Sequence, residues 1–177
     1  MLHRRHFLQI SSLGLSALGF SSFRGKADTK KPLVLSTWDA GIAANKAAWN
    51  VLKSGGRALD AVEQGVRVTE DSLNCCVGLG ANPDRDGFVT LDACIMDEFA
   101  NCGSVAFLER IKHPISVARR VMEKTPHVML VGEGAQQFAV AEGFPLEKNE
   151  LSESAKKAYQ NWLKKSEYKP IVNIENS

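Results

Sequence analysis

The spacing of apolar residues changes from helical to strand-like near residue 88, and this change constrains the fold more than any single motif. Two helical patterns come first, over 43–54 and 58–68, separated by Gly55 and Gly56. Glycine pairs end helices because glycine tolerates a left-handed backbone. The first pattern places Ala44, Ala47, Ala48, Val51 and Leu52 on one stripe, and the second turns Leu59, Ala61, Val62 and Val66 inward. These patterns predict two helices packed as one layer.

Strand signals follow. Phe88–Met96 and Gly103–Glu109 are β-branched and apolar runs, and the acidic and polar stretch Asp97–Asn101 joins them. This arrangement predicts a β-hairpin. A further strand is predicted over Leu33–Trp38, an apolar run that follows Pro32.

The remainder of the chain returns to helical spacing. One helix is predicted from Pro114, which suits a first turn, and its charged residues, Arg119 among them, are expected to be solvated. Another helix follows Ser152, a plausible cap. The stretch 127–132 fits either a short strand or the entry to a helix over 133–141. The order of these signals predicts an α/β fold with a sheet layer covered by helices.

Residues 1–27 differ from the rest in charge. They hold four basic side chains and no acidic one, whereas the other 150 residues hold 18 basic and 20 acidic side chains. All of the positive excess lies in this leader, so the remainder gives no reason to expect a nucleic-acid partner.

The leader has the pattern of an export signal. It combines a basic start, an apolar stretch over 7–23 diluted by serine and glycine, and a small-residue end. The stretch is too broken by polar residues for a membrane-spanning helix. Arg4 and Arg5 resemble a twin-arginine signal, with a general secretory signal or an amphipathic tail as the alternative. We therefore expect a periplasmic protein with no membrane partner.

The four cysteines allow two interpretations. An even number in an exported chain allows one bridge, and Cys94 to Cys102 is one option. The simpler interpretation is four small buried hydrophobic residues. A metal site is not predicted, since the chain has no CxxC and the adjacent Cys75 and Cys76 are poorly spaced to share one tetrahedral ion.

The usual catalytic and binding signatures are missing from the sequence. It contains no GxSxG, HExxH, GxxxxGK[ST] or GxGxxG motif. The glycines of 131–135 fit a strand-to-helix turn better than an anion loop. Asp84 and Asp86 precede Gly87, but the remaining ligands of a calcium loop are absent, so a solvated turn is predicted.

Titratable residues offer no stronger signal. His113 and His127 each stand beside a proline, and we expect surface or capping roles for both. Asp60 and Glu63 lie one helical turn apart, which could serve acid and base chemistry, but solvated helix faces show such pairs routinely. The residues alone therefore predict a folded unit with no catalytic residue.

Four longer segments of the chain are distinctive: LSTWDAGIAANKAAWNVLKSGGRALDAVEQGVRVTED, NPDRDGFVTLDACIMD, GSVAFLERIKHPISVARRVMEKTPHVMLVGEGA and YKPIVNIEN. Together they resemble the α subunit of the glycosylasparaginase family, within the type 2 asparaginases. This resemblance implies an αββα sandwich of the amino-terminal nucleophile hydrolases, with residues 28–177 as its α-chain portion, incomplete without a β chain. It also implies one precursor that cuts itself within a His-Asp-Thr sequence.

The implied chemistry explains the missing signatures. A threonine hydroxyl is a poor nucleophile, and its own α-amine can act as base only after the preceding peptide bond is broken. That α-amine, with a pKa near 8, is substantially neutral at working pH. The resemblance thus implies a nucleophile in the β chain, no cofactor and no metal, and αβ pairs that associate as a heterotetramer. The isolated chain is expected to be inactive.

Trp38 is the one site residue that the resemblance carries over. It matches a family tryptophan that lies against the substrate, here a small glyco-asparagine; a core aromatic is the alternative. Two positions later the family commonly has an aromatic residue, and this chain has Ala40.

Other functions stay open. The same fold could act on L-asparagine or isoaspartyl peptides, and a truncated member could be a non-catalytic binding module. The final Ser177 stands where the family's histidine is expected, which favours a fragment, a truncated product or a variant cleavage sequence.

Overall fold

The computed structural model describes residues 31–165 of the chain. The predicted export signal over 1–27 and the segment YKPIVNIEN near the carboxy terminus lie outside the described residues. Five α-helices are present in this part: α1 Gly41–Lys53, α2 Ala58–Asp71, α3 Pro114–Lys124, α4 Gly132–Ala141 and α5 Glu153–Leu163. Three strands accompany them: β1 Thr90–Met96, β2 Cys102–Glu109 and β3 Met129–Val131. A short 3-10 helix covers Gly78–Gly80.

The three strands form one sheet in the order β1-β2-β3. β1 and β2 pair antiparallel, with Ala93 opposite Val105, which confirms the predicted hairpin. β3 pairs parallel to β2, with Leu130 also opposite Val105. Parallel neighbours need a long crossover, and α3 lies within it. Both interpretations of the stretch 127–132 are partly right: it contains the short strand β3, and its last residue, Gly132, begins α4.

A β-bulge interrupts the hairpin. The register shifts between Leu91 and Ala93, and the facing strand carries one extra residue there. Phe107 adopts a left-handed backbone with φ of 52° at this point. The side chain of Asp92 accepts a hydrogen bond from Phe107 N at 2.8 Å, so it supplies the partner that the ladder lacks.

In the part of the chain that the structure describes, the helices cover one face of the sheet. α3 and α4 pack against that face and bury a continuous core. Its members are Leu59, Leu91, Ile95, Val105, Leu108, Ile111, Ile115, Val117, Ala118, Val121, Ala135 and Ala139. On the other face Cys94, Met96, Met129 and Val131 are exposed; we call this the open sheet face. The sequence pattern predicted a sheet layer covered by helices, but it did not predict that the second face of the sheet is exposed.

The two predicted amino-terminal helices pack together as expected. Gly65 of α2 allows the backbone of α1 to approach closely, because a Cβ at position 65 would lie only 3.0 Å from Ala44 O. Leu59 and Ala61 are buried, but Val62 is 48% exposed, so its predicted inward position is wrong. Helical spacing alone places Val62 on the stripe of Leu59 and Val66, so its exposure reflects incomplete covering by the neighbouring described elements.

Two sequence predictions fail in the structure. No strand forms over Leu33–Trp38, because none of the strands in the described part pairs with that segment. The cysteines are not buried: Cys75, Cys76 and Cys94 are exposed, and Cys102 is intermediate. All four thiols are free, and the Cys94–Cys102 bridge is absent. The two residues are out of register, since Cys94 lies opposite Ser104 and Cys102 opposite Met96.

The carboxy-terminal helix agrees with its prediction. Ser152 caps α5 by accepting a hydrogen bond from Ala155 N at 3.2 Å. Tyr159 donates a hydrogen bond to Arg85 O at 3.0 Å and fixes the helix on the predicted 81–87 turn. Within 31–165 no helix is long and apolar enough to cross a membrane.

Candidate functional site

Trp38 stands on a turn that leads into α1. Ser36 Oγ donates a hydrogen bond to Asn45 Oδ1 at 2.5 Å, and Gly41 N donates to Trp38 O at 2.7 Å. Gly41 lies directly against Ser36, and a side chain at this position would collide with that serine. The turn is therefore fixed to the helix by two separate contacts.

The indole of Trp38 is 83% exposed. Leu35, just before the turn, and Ile42, in the first turn of α1, are about as exposed. The alternative interpretation of Trp38 as a core aromatic is therefore wrong for the described part of the chain. Large apolar side chains grouped on a surface are typical of a binding site or an interface. The substrate role of Trp38 stays a prediction.

The pair Asp60 and Glu63 has a structural role. Arg119 Nη1 donates to Asp60 Oδ1 and to Glu63 Oε2, each at 2.7 Å, and Arg119 Nε donates to Glu123 Oε1 at 2.7 Å. Partial burial disfavours the guanidinium charge, but these hydrogen bonds outweigh it and raise the pKa of Arg119. The prediction that Arg119 is solvated is wrong, because its side chain is mostly buried and links α3 to α2 through Asp60 and Glu63.

A second polar cluster lies where α2 ends and α3 begins. The side chain of Glu70 is 1% exposed. Its Oε1 accepts a hydrogen bond from Ile115 N at 3.0 Å, and its Oε2 lies 3.1 Å from His113 Nδ1. Burial raises the pKa of Glu70 to about 7, although the bond from Ile115 N and nearby Arg67 act in the opposite direction. Burial also lowers the pKa of His113.

This geometry corrects the expectation for one histidine. His113 precedes α3 but makes no capping bond with its side chain, and it is mostly buried against Glu70 rather than on the surface. His127 is exposed, as expected. The sequence holds a signal for the missed residue: Glu70 falls eleven and four positions after Leu59 and Val66, on the inward stripe of α2.

Glu70 also lines a cavity of about 350 Å³ between α2, the 76–81 loop, β1 and the start of α3. Its other polar lining includes Cys76, Cys94, Thr90 and Asp92. The described residues contain no group of three His, Cys, Asp or Glu side chains that could hold a metal ion.

A second cavity, of about 310 Å³, lies between α5 and the 82–85 turn. Tyr159 and Trp162 line it with stacked rings, whose centroids are 6.1 Å apart. On the turn, Asp84 Oδ1 accepts from Asp86 N and from Phe88 N, both at 2.9 Å. This aspartate closes its own backbone turn, which confirms a turn in place of a calcium loop.

Comparison with known proteins gives consistent matches. The asparaginase family model Asparaginase_2 matches residues 26–177. An N(4)-(β-N-acetylglucosaminyl)-L-asparaginase of Elizabethkingia miricola is 55% identical over 98% of this chain and 54% of its own. The mouse protein with the same activity name is 44% identical over 86% of this chain and 43% of its own. A plant-type L-asparaginase of Pyrococcus abyssi is 47% identical over 67% of this chain and 39% of its own. The chain thus spans about half the length of these relatives, or less.

Proposed function

The chain belongs to the type 2 asparaginase family, a family of amidohydrolases, and we propose that it is the α portion of an N4-(β-N-acetylglucosaminyl)-L-asparaginase. Such an enzyme hydrolyses the amide that joins N-acetylglucosamine to asparagine. The observation that carries the proposal is the 55% identity to the Elizabethkingia protein across 98% of this chain. The plant-type asparaginase is similar over a smaller share of the chain, 67%.

The open sheet face supports the structural part of this proposal. Met96, Met129 and Val131 are each more than half exposed on it, although α3 and α4 cover the opposite face. A sheet with an apolar second face is stabilised when another layer packs about 10 Å away. In the proposed αββα sandwich that layer is the sheet of the β chain.

The proposed mechanism places the nucleophile outside the described residues. A threonine at the head of the β chain attacks the substrate amide, and its own α-amine accepts the proton. In this proposal Trp38 contributes one wall of the substrate site. Its indole is exposed, and the Ser36–Asn45 hydrogen bond fixes the turn that carries it. The buried carboxylates Glu63 and Glu70 take no part, since each is committed to contacts between helices.

The remaining parts of the proposal concern assembly and location. The partner is the β chain of the same precursor, and the αβ pairs associate further into a heterotetramer. Export through the twin-arginine route to the periplasm is proposed from the leader pattern. An exported enzyme of this kind would meet glycoasparagines outside the cytoplasm.

The decisive experiment joins this chain to the coding sequence downstream of codon 177. We expect His-Asp-Thr within that sequence, self-cleavage of the joined product, and release of aspartate from N4-(β-N-acetylglucosaminyl)-L-asparagine. The 177-residue chain alone should release none. Faster turnover of L-asparagine or an isoaspartyl peptide would favour the alternative substrates. Absence of self-cleavage together with absence of turnover would leave the non-catalytic module as the better interpretation.

A matched pair of variants tests the role of Trp38 in the joined protein. Trp38→Ala should raise KM for the glycosylated substrate by about tenfold or more, because the lost indole is proposed to contact it. Trp49→Ala is the control, since Trp49 is a half-exposed tryptophan on α1 outside the turn. Equal effects of both changes on KM would contradict the assignment of Trp38.

A further inference from the structure

Two consecutive carboxylates at the end of α2 contact two consecutive basic residues before α3. Asp71 Oδ1 lies 2.7 Å from Lys112 Nζ and 3.6 Å from His113 Nε2. Glu70 Oε2 lies 3.1 Å from His113 Nδ1. Both ring nitrogens of His113 therefore face a carboxyl group, one exposed and one buried.

The exposed carboxylate determines which ring nitrogen carries hydrogen. The hydrogen bond from Lys112 lowers the pKa of Asp71, so Asp71 is ionised at neutral pH. An ionised carboxylate beside Nε2 favours a hydrogen on that nitrogen, because two facing lone pairs would repel. In a neutral imidazole with Nε2–H, Nδ1 is an acceptor. The hydrogen between Nδ1 and Glu70 Oε2 must then belong to Glu70.

The alternative with the same number of protons is an ion pair of ionised Glu70 and charged His113. Burial opposes it, since two charges would be removed from water at a junction where the Glu70 side chain is 1% exposed and that of His113 is 14% exposed. Arg67 lies close enough to disfavour a further positive charge, as does Lys112. Asp71 and Glu63 favour the imidazolium, but Asp71 is half-exposed and paired with Lys112, and Glu63 is paired with Arg119.

The other titratable groups around Glu70 lie on α2 itself and across the cavity. Glu63 and Asp71 on α2 favour the protonated form, whereas Arg67 on the same helix favours the ionised form. Across the cavity, Cys76 and Asp92 line the wall that Glu70 shares. The described lining of this cavity contains no basic side chain that could neutralise a carboxylate.

We propose that Glu70 and His113 form a neutral hydrogen-bonded latch between α2 and α3, with Glu70 protonated and His113 neutral with its hydrogen on Nε2. In this latch Glu70 Oε2–H donates to His113 Nδ1, and Oε1 remains free to accept from Ile115 N. Glu70 thus also provides a capping bond to the first turn of α3, which the side chain of the capping residue His113 does not make.

The latch determines how many protons this junction takes up on folding. In the unfolded chain between about pH 4.5 and 6.5 glutamate is ionised and histidine is charged, so the two residues hold one acidic proton there. The latch holds one proton as well, transferred from the histidine to the glutamate. Folding then takes up almost no proton at this junction, and the two opposing linkages cancel. The raised pKa of Glu70 favours folding at low pH, and this contribution is lost as pH rises to about 7. The lowered pKa of His113 favours folding at high pH, and this contribution is lost as pH falls below 6.5.

Nitrogen NMR of the full chain tests the protonation state directly. At pH 6 the latch requires an acceptor-type Nδ1 and a protonated Nε2 for His113, with the exposed His127 as the internal reference. Two N–H nitrogens on His113 at pH 6 would establish the ion pair and overturn the proposal. A proton on Nδ1 alone would overturn it equally, because Glu70 would then be the acceptor.

Matched substitutions provide a second readout. Glu70→Gln keeps a donor and an acceptor in the positions of the protonated acid, so at pH 6 its melting temperature should stay within about 2 °C of the parent, with His113 still protonated on Nε2. Glu70→Leu removes both hydrogen bonds and serves as the contrast, with loss of Ile115 amide protection against hydrogen exchange.

His113→Asn leaves the pH dependence contributed by Glu70 without the opposing contribution of the histidine. The free energy of unfolding of this variant should therefore fall between pH 4.5 and 7, whereas that of the parent should not show this fall. A parent-like pH profile for His113→Asn, or a Gln variant as unstable as the Leu variant at pH 6, would contradict the latch.

Discussion

The junction between α2 and α3 and the turn that carries Trp38 differ in how their side chains are covered. At the junction, Glu70 and Arg119 are largely removed from water and each makes two or more hydrogen bonds. Within the described residues no buried side-chain nitrogen or oxygen lacks a partner. At the turn, Trp38 and Ile42 are about four-fifths exposed. At the junction the buried polar groups have all their partners within this chain, whereas the turn presents apolar side chains to solvent.

The difference separates residues that hold the fold from residues available for binding. A polar group is buried only with its partners, because an unsatisfied one costs about 1–3 kcal/mol. An apolar group on the surface has no such requirement, but a grouped set indicates a missing neighbour. The turn and the open sheet face therefore belong to the proposed interface and site, and substitutions there should affect assembly more than the folding of this chain.

The largest expected contrast in stability is between two leucines. Leu108 on β2 is fully buried, and Leu108→Ala should lower the free energy of unfolding by about 2–5 kcal/mol, because the substitution leaves a cavity in the core. Leu35→Ala removes the same atoms from the exposed turn and should change it by less than about 0.5 kcal/mol. Urea unfolding of both variants measures the difference. Similar losses would mean that the turn is packed in solution.

A smaller contrast is expected between two arginines. Arg119→Ala should cost about 1–3 kcal/mol, because it leaves the mostly buried Glu63 with Ser116 as its remaining partner. Arg57→Ala breaks a half-exposed bridge to Glu98 and should cost about 0–1 kcal/mol. At high salt, the loss of unfolding free energy caused by Arg57→Ala should become smaller still, because salt screens an exposed ion pair. A larger loss for Arg57 than for Arg119 would contradict the assignment of Arg119 as the tie between helices.

The sequence predicts most of the elements because local spacing decides them. The stripe on α1, the hairpin and the cap at Ser152 each depend on residues close together in the chain, and all are confirmed. The strand over Leu33–Trp38 fails for the opposite reason: a strand needs a partner, and local apolar content cannot supply one.

The site is harder to predict than the fold. The exposure of Trp38 depends on what packs beside it, and composition suggests only that tryptophan is mostly buried. Glu70 and His113 are 43 positions apart in the chain and meet only because α2 and α3 pack together. Arg119 was expected to be solvated for the same reason: its three partners include two on another helix. Contacts of this kind follow from tertiary packing, which a single sequence does not reveal.

The cap of α5 should give an effect of about 1 kcal/mol. Ser152→Ala removes the acceptor for Ala155 N and leaves the first turn of the helix without its capping bond. Ser154→Ala is the matched control, since Ser154 is exposed within the first turn and its hydroxyl contacts Ser152 alone among the described bonds. Hydrogen exchange along α5, compared between the two variants, locates the change. A uniform loss over the whole chain would mean that α5 is more deeply coupled to the core than its contacts with the 81–87 turn indicate.

The smallest change in stability and the clearest change in association are expected on the open sheet face. Val131→Lys places a charge among exposed apolar side chains, and it should alter the free energy of unfolding by less than about 0.5 kcal/mol because Val131 is already 56% exposed. It should also reduce concentration-dependent aggregation of the isolated chain, since a charge on an uncovered sheet blocks sheet-to-sheet contact. Val140→Lys on α4 adds the same charge at a similarly exposed valine away from that face. If light scattering shows that both lysines suppress aggregation equally, net charge is the cause. If Val131→Lys acts alone and also blocks binding of the β chain, the open sheet face is the surface that the missing layer covers.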